Sequence, residues 1–167
     1  MRYLVSGAQM RELDQYTIDN LGVRGLDLMK NAGLASARFC QNLLSKPAAL
    51  AVFCGKGNNG GDGFVVAKAL VEQGYFVSVF VVAQKEDIGG DAALALRELE
   101  DAQAISNLAL WYQSSDGFDD AVDESLASSR LVIDALLGTG LNKAVRGPFK
   151  EIINKINACG SWVVALD

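Results

Sequence analysis

The stretch Ala48-Ala49-Leu50-Ala51-Val52-Phe53-Cys54-Gly55-Lys56-Gly57-Asn58-Asn59-Gly60-Gly61-Asp62-Gly63 decides how the rest of the chain is read. Its first seven residues form an apolar run of strand length, as expected of a strand buried on both faces. The following nine carry five glycines, which allow positive φ angles and bring several N–H groups close to an anion at the start of a helix over 63–73. A strand, a glycine-rich turn and a helix in that order make the opening unit of a parallel α/β sheet.

Further apolar runs follow at 75–82, 131–136 and 162–166, with a shorter, weaker one at 108–111. Helical patterns at 91–104, 119–128 and 148–158 separate them, the last with Pro148 in its first turn. Upstream, Ser6-Gly7-Ala8-Gln9 fits a capping box, and Met10, Leu13, Thr17 and Leu21 recur at helical spacing until Gly22 offers a left-handed stop. A second stripe, Leu28, Ala32, Ala35, Phe39 and Leu43, runs up to Pro47. The expectation is one α/β domain, three-layer α/β/α and Rossmann-like, with a mostly parallel sheet preceded by two N-terminal helices. In such a sheet the ligand site lies outside the carboxyl ends of the strands, so the residues after Cys54, Val82, Leu136 and Leu166 carry the chemistry.

Composition narrows that chemistry. The 167 residues include no histidine, which excludes Ser-His-Asp and Cys-His nucleophilic catalysis, His-ligated zinc and H-E-x-x-H proteolysis. Fifteen basic against 20 acidic residues give a net charge of −5, which argues against a general phosphate-backbone binder. The three cysteines, Cys40, Cys54 and Cys159, are widely spaced without a C-x-x-C pair and read as buried thiols of a reducing compartment. The first fifteen residues lack the apolar core of a leader and no run is long enough to span a membrane, so a cytoplasmic location is expected.

Three segments stand out at the strand ends. The glycine segment contains G-x-G-x-x-G, but the acidic residue that a dinucleotide fingerprint needs after the next strand is missing from Val81-Val82-Ala83-Gln84. A P-loop fails too, since Gly61-Asp62 stands where Lys-Ser/Thr is required. Asp62 has the plain alternative of capping the helix, and Asn58 and Asn59 that of holding turns. In Val132-Ile133-Asp134-Ala135-Leu136-Leu137-Gly138-Thr139-Gly140-Leu141 a carboxylate interrupts an apolar strand, so Asp134 needs a cation, a basic partner or hydrogen-bond donors. Lys143 and Arg146 lie near enough to meet a phosphate, or are simply solvated. The third segment, Val163-Val164-Ala165-Leu166-Asp167, ends in a strand-end carboxylate suited to acid/base work.

Taken together, the segments 57–63, 134–140 and 164–167 closely resemble the NAD(P)H-hydrate epimerase family, the YjeF N-terminal domain family, as do Met10, Arg11 and Asp14 and the segment 28–33. The resemblance implies an isomerase that interconverts the R and S forms of hydrated NADH and NADPH (NADHX and NADPHX), with an ATP- or ADP-dependent dehydratase as functional partner. It implies substrate binding by Asn58, Asn59, Gly60, Gly61 and Asp62 and by Gly138, Thr139, Gly140, Leu141, Asn142, Lys143 and Ala144. It implies one potassium ion per subunit, held by Asn59 and Asp134, and a substrate-binding, catalytic Asp167. A homodimer without membrane or nucleic-acid partners is expected. The family pattern continues past this Asp into Ile-Pro-Ser-Gly, so residues 1–167 read as a YjeF N-terminal domain that stops short of its potassium-binding Ser. The competing readings are a non-catalytic nucleotide- or RNA-binding dimerisation module of the same fold and an ordinary Rossmann dehydrogenase.

Overall fold

A computed structural model describes residues 5–44, 46–141 and 143–166. Two helices, α1 (Gly7–Leu21) and α2 (Gly25–Leu43), precede β1 (Ala49–Cys54), α3 (Asn58–Glu72), β2 (Phe76–Val81), α4 (Gly90–Asp101), β3 (Leu108–Tyr112), α5 (Phe118–Ser128), β4 (Leu131–Ala135), α6 (Pro148–Ala158) and β5 (Trp162–Ala165). The five strands are parallel in the order β3-β2-β1-β4-β5. The chain therefore winds outward from β1 to β3, then returns to the other side of β1 for β4 and β5. The reversal lies between β1 and β4, the switch point at whose carboxyl edge sheets of this kind open a crevice.

Alternation along the central strands fills two cores. Leu50, Val52, Cys54, Val77, Val79, Leu131 and Ile133 point toward α3 and its neighbours, where Phe64, Val66 and Leu70 meet them. Ala51, Phe53, Phe80 and Val132 point the other way, toward Phe118, Val122, Ile152 and Ile156 of α5 and α6. Phe53 and Phe80, paired across β1 and β2, stack with centroids 5.0 Å apart, and Phe118 meets Phe80 edge-on at 5.7 Å. Contacts of this kind add to simple area burial and lock the central register.

Three expectations need correction. The helix α2 does not bury Ala32, Ala35 and Phe39, which are exposed; it buries Met29, Gly33, Ala37 and Cys40. The buried face is the one with small side chains, because a Cβ on Gly33 would come within 2.6 Å of Val65 on α3. Close helix approach selects the small-residue face over the bulkier stripe. The helix α1 has the forecast capping box at Ser6 and left-handed Gly22, yet it buries none of its residues, and Met10, Leu13 and Leu21 are exposed. Among the described residues the strand β5 pairs only with β4, and Trp162 and Val163 are exposed rather than buried.

Candidate functional site

At the crevice, the helix begins earlier than its sequence pattern indicates. Residues 58–63 are the first two turns of α3, and only 55–57 form the connection from β1. None of Gly55, Gly57, Gly60, Gly61 and Gly63 has positive φ, so the glycines do not serve to bend the backbone as expected. Gly55, Gly60, Gly61 and Gly63 serve close approach, while Gly57 has nothing within 4 Å of where its Cβ would lie. A Cβ on Gly55 would fall on the Leu136 carbonyl oxygen, and one on Gly60 on the carbonyl oxygen of Gly55. A Cβ on Gly63 would come within 2.7 Å of both Ala135 Cβ and Cys54 Sγ, and one on Gly61 within 2.6 Å of the Met29 thioether. The start of α3 is thereby pressed onto the carboxyl ends of β1 and β4, and the Gly55 amide donates to the Ala135 carbonyl at 3.0 Å. The amides of the first turn of α3 have no acceptor in a preceding turn, and the positive end of the helix faces the crevice.

The side chains of that turn divide by direction. Asn59 places both amide atoms, Oδ1 and Nδ2, in the interior without a hydrogen-bond partner among the described residues. A buried, unsatisfied amide costs about 1–3 kcal/mol, so this group calls for a partner beyond the described residues. Asp62 does not cap the helix, since the N-cap is Gly57 with no side-chain bond. It lines a cavity of about 180 Å³ with Asn58, Asp14 of α1, Met29 of α2 and Asp91 of α4. Burial, and then the charge of Asp14, push its carboxyl up to about 6.

Asp134 is half-buried in β4 opposite Phe53. Its Oδ1 accepts the Leu136 amide at 3.0 Å, and its carbonyl accepts the Leu166 amide at 2.8 Å. No Lys or Arg pairs with it among the described residues. Burial pushes the adjacent Cys54 thiol up, and the Asp134 charge adds to that. Of the remaining expected site residues, Gly140, Leu141, Lys143 and Ala144 lie exposed beyond β4. Thr139 meets the first turn of α1, where a Cβ on Gly7 would come 3.0 Å from Thr139 Cβ. Arg11 Nη1 donates to the Thr139 carbonyl and hydroxyl oxygens, each at 3.4 Å. Asn142 and Asp167 lie outside the described residues. Leu166, one residue before Asp167, is bonded beside Asp134 at the crevice.

The sequence reading gave no role to Arg11, Asp14 or Asp91. Arg11 and Asp14 stand three apart on one helix, a spacing that puts them on a common face, but no local pattern indicates what that face meets. Asp91 gave no signal.

A parallel α/β sheet with a glycine-packed helix start and an interrupted-strand carboxylate at its switch point is a Rossmann-like α/β architecture, in which ligand sites lie at that switch point. The sequence pattern of one family, described as YjeF-related protein N-terminus, matches residues 25–167, and the chain belongs to that family. It is 38% identical to a bifunctional NAD(P)H-hydrate repair enzyme of Moorella thermoacetica, aligned over 99% of this chain and 31% of that protein. It is 34% identical to an NAD(P)H-hydrate epimerase of Limosilactobacillus fermentum, over 98% of this chain and 72% of the relative. The chain thus spans about three-tenths of the bifunctional relatives. A yeast protein of known crystal structure, ynu0, shares the fold with a TM-score of 0.84 at 22% identity, over 99% of this chain and 70% of that one.

Proposed function

We propose that this protein epimerises hydrated NADH and NADPH in nicotinamide nucleotide repair, alongside a dehydratase that consumes one of the epimers. The observation that carries the reading is the convergence at the β1/β4 switch point of the start of α3, Asp134 and the strand leading to Asp167, in a chain whose relatives include NAD(P)H-hydrate epimerases. The dinucleotide's phosphates suit the open amides at the start of α3. The inverted carbon carries a ring nitrogen and a hydroxyl. Inversion proceeds by loss and return of water at that carbon, or by opening and reclosing the ring. Either route needs a group that gives a proton and takes it back, and in this reading Asp167 is that group. No hydride acceptor or nucleophile is required, in keeping with a chain that has no histidine.

Potassium fits the donor set. Asn59 Oδ1 is buried and unsatisfied, the Asp134 carboxylate has a single amide donor and no cationic partner among the described residues, and both are hard oxygen donors. Among those residues no cluster of three acidic, Cys or His side chains suits a more highly charged metal. Bound there, potassium supplies a fixed positive charge beside the anionic substrate. Homodimerisation belongs to the same proposal, with Met10, Leu13, Leu34 and Phe39 as exposed apolar surface for it.

Chromatographic separation of the two hydrate epimers tests the activity. The wild-type chain should speed their equilibration and Asp167→Ala should lose at least about 100-fold of that rate, the scale of general acid/base catalysis. Equal rates for the two proteins would sink the catalytic assignment. Crystals grown in potassium should show density touching Asn59 Oδ1 and Asp134; crystals lacking it would remove the cation from the proposal. The alternative, a binding module, predicts nucleotide or RNA affinity with no equilibration at all.

A further inference from the structure

The helix α1 lies outside the part of the chain that matches the family pattern, and its contacts are unusual for a helix of 15 residues. It buries no side chain, so area burial does little to hold it. Besides α2, which Ile18 faces, it touches both ligand segments. Asp14 enters the cavity formed with Asn58 and Asp62 at the start of α3. Three residues earlier on the same face, Arg11 donates to the Thr139 carbonyl and hydroxyl, and one turn before that Gly7 lies against the Thr139 side chain. The glycine at position 7 is what lets the first turn come this close. Arg11 and Thr139 are 128 residues apart, so α1 is a long-range clasp on the segment 138–141.

The mechanical need is plain. Gly140 has no neighbour within 4 Å of where its Cβ would lie, and Leu141 is exposed. Within the segment the Leu141 amide donates to the Gly138 carbonyl at 3.2 Å, closing a turn exposed at 139–141, whereas the segment 55–63 is wedged in place at Gly55, Gly60, Gly61 and Gly63. A guanidinium suits the clasp because one nitrogen carries two hydrogens and can serve two acceptors on a single residue. At 3.4 Å each bond is long and weak singly, which makes the clasp releasable.

We propose that Arg11 is a positioning residue: through Thr139 it fixes the conformation of the segment 138–141 in which that segment receives the hydrated dinucleotide. This rests on the reading of that segment as a substrate loop, so the test separates the contact from the reading. Hydrogen exchange of the substrate-free full chain reads the contact directly. Arg11→Ala should speed exchange of the amides at 138–141 by about three- to tenfold, the effect of losing one to two weak bonds, while β1 and β4 are unchanged. Gln15→Ala, which removes a bond only within α1, should leave that exchange as in wild type. Steady-state kinetics reads the role: Arg11→Ala should raise KM for the hydrated dinucleotide by a similar three- to tenfold with kcat within about twofold, and Arg11→Lys should recover part of it. Unchanged exchange in Arg11→Ala, or equal acceleration in Gln15→Ala, overturns the clasp. Faster exchange with wild-type KM overturns its role in binding. A wild-type chain that does not equilibrate the epimers overturns the functional reading and leaves the exchange result to stand on its own.

Discussion

The segments 55–63 and 138–141 both follow a central strand, both are rich in glycine and both face the same crevice, yet they are built on opposite principles. In the first, glycine is required by contact: backbone and side chains of β1, β4 and α2 occupy the places where Cβ atoms would stand at Gly55, Gly60, Gly61 and Gly63. In the second, Gly140 faces open space. One segment is a fixed platform that aims a helix start and a buried amide; the other is an exposed strap held by Arg11 from a distant helix. The lesson is that glycine density alone does not distinguish a rigid cradle from a movable one. The distinction depends on what lies within a bond length or two of the missing side chain.

Substitutions can break this comparison, and the platform should give the largest effect. In Gly60→Ala the new methyl meets the carbonyl of Gly55, a backbone atom that cannot rotate away, so stability should fall by at least about 3 kcal/mol, or roughly 6–12 °C in Tm for a domain of this size. A thermal melt within about 2 °C of wild type would show that the platform yields after all. Gly63→Ala meets the buried Ala135 Cβ and Cys54 Sγ, both at 2.7 Å and so less deep an overlap than at Gly60, and should cost about 1–3 kcal/mol in denaturant unfolding.

On the platform itself sits Asp62, and its effect depends on pH. Its folded carboxyl titrates at about 6, above its ordinary value of 3.8, so the folded state holds this proton more tightly than the unfolded chain does. Stability from this group is present at low pH and is lost as pH rises from about 4 to about 6. Asp62→Asn should therefore be more stable than wild type at neutral pH and show a flatter Tm profile across that window. An unchanged profile would place the charge burden elsewhere. The smallest effect belongs to the strap: Gly140→Ala should alter unfolding free energy by no more than about 0.5 kcal/mol, and a larger loss would mean the segment is packed like the platform.

Much of this molecule is legible from its amino-acid order because the relevant signals are local. Apolar runs mark all five strands within a residue or two, and Ser6 with Gln9, Gly22 and Pro148 mark helix ends. The positions of Asn59 and Asp134 relative to strand ends follow from the same patterns, as does the placing of the crevice after β1 and β4. Where the reading failed, a local pattern had two solutions. Both faces of α2 carry apolar residues, and only the approach of α3 to Gly33 selects the small one. The apolar run at 162–166 reads as buried, but among the described residues only β4 pairs with it and Trp162 and Val163 are exposed.

The sequence by itself determined the parallel α/β class, the switch point and the residue types available there, carboxylates and amides without imidazole, because periodicity, capping and composition act over a few residues. Only the tertiary structure decided that Gly55, Gly60, Gly61 and Gly63 work by close approach instead of left-handed turns, that the Asn59 amide atoms are buried without a partner among the described residues, and that Arg11 and Asp14 of α1 reach the segments 138–141 and 58–62. Those facts depend on which surfaces meet across more than a hundred residues of chain, as between Arg11 and Thr139 at a separation of 128, and packing at that range leaves no period in the sequence.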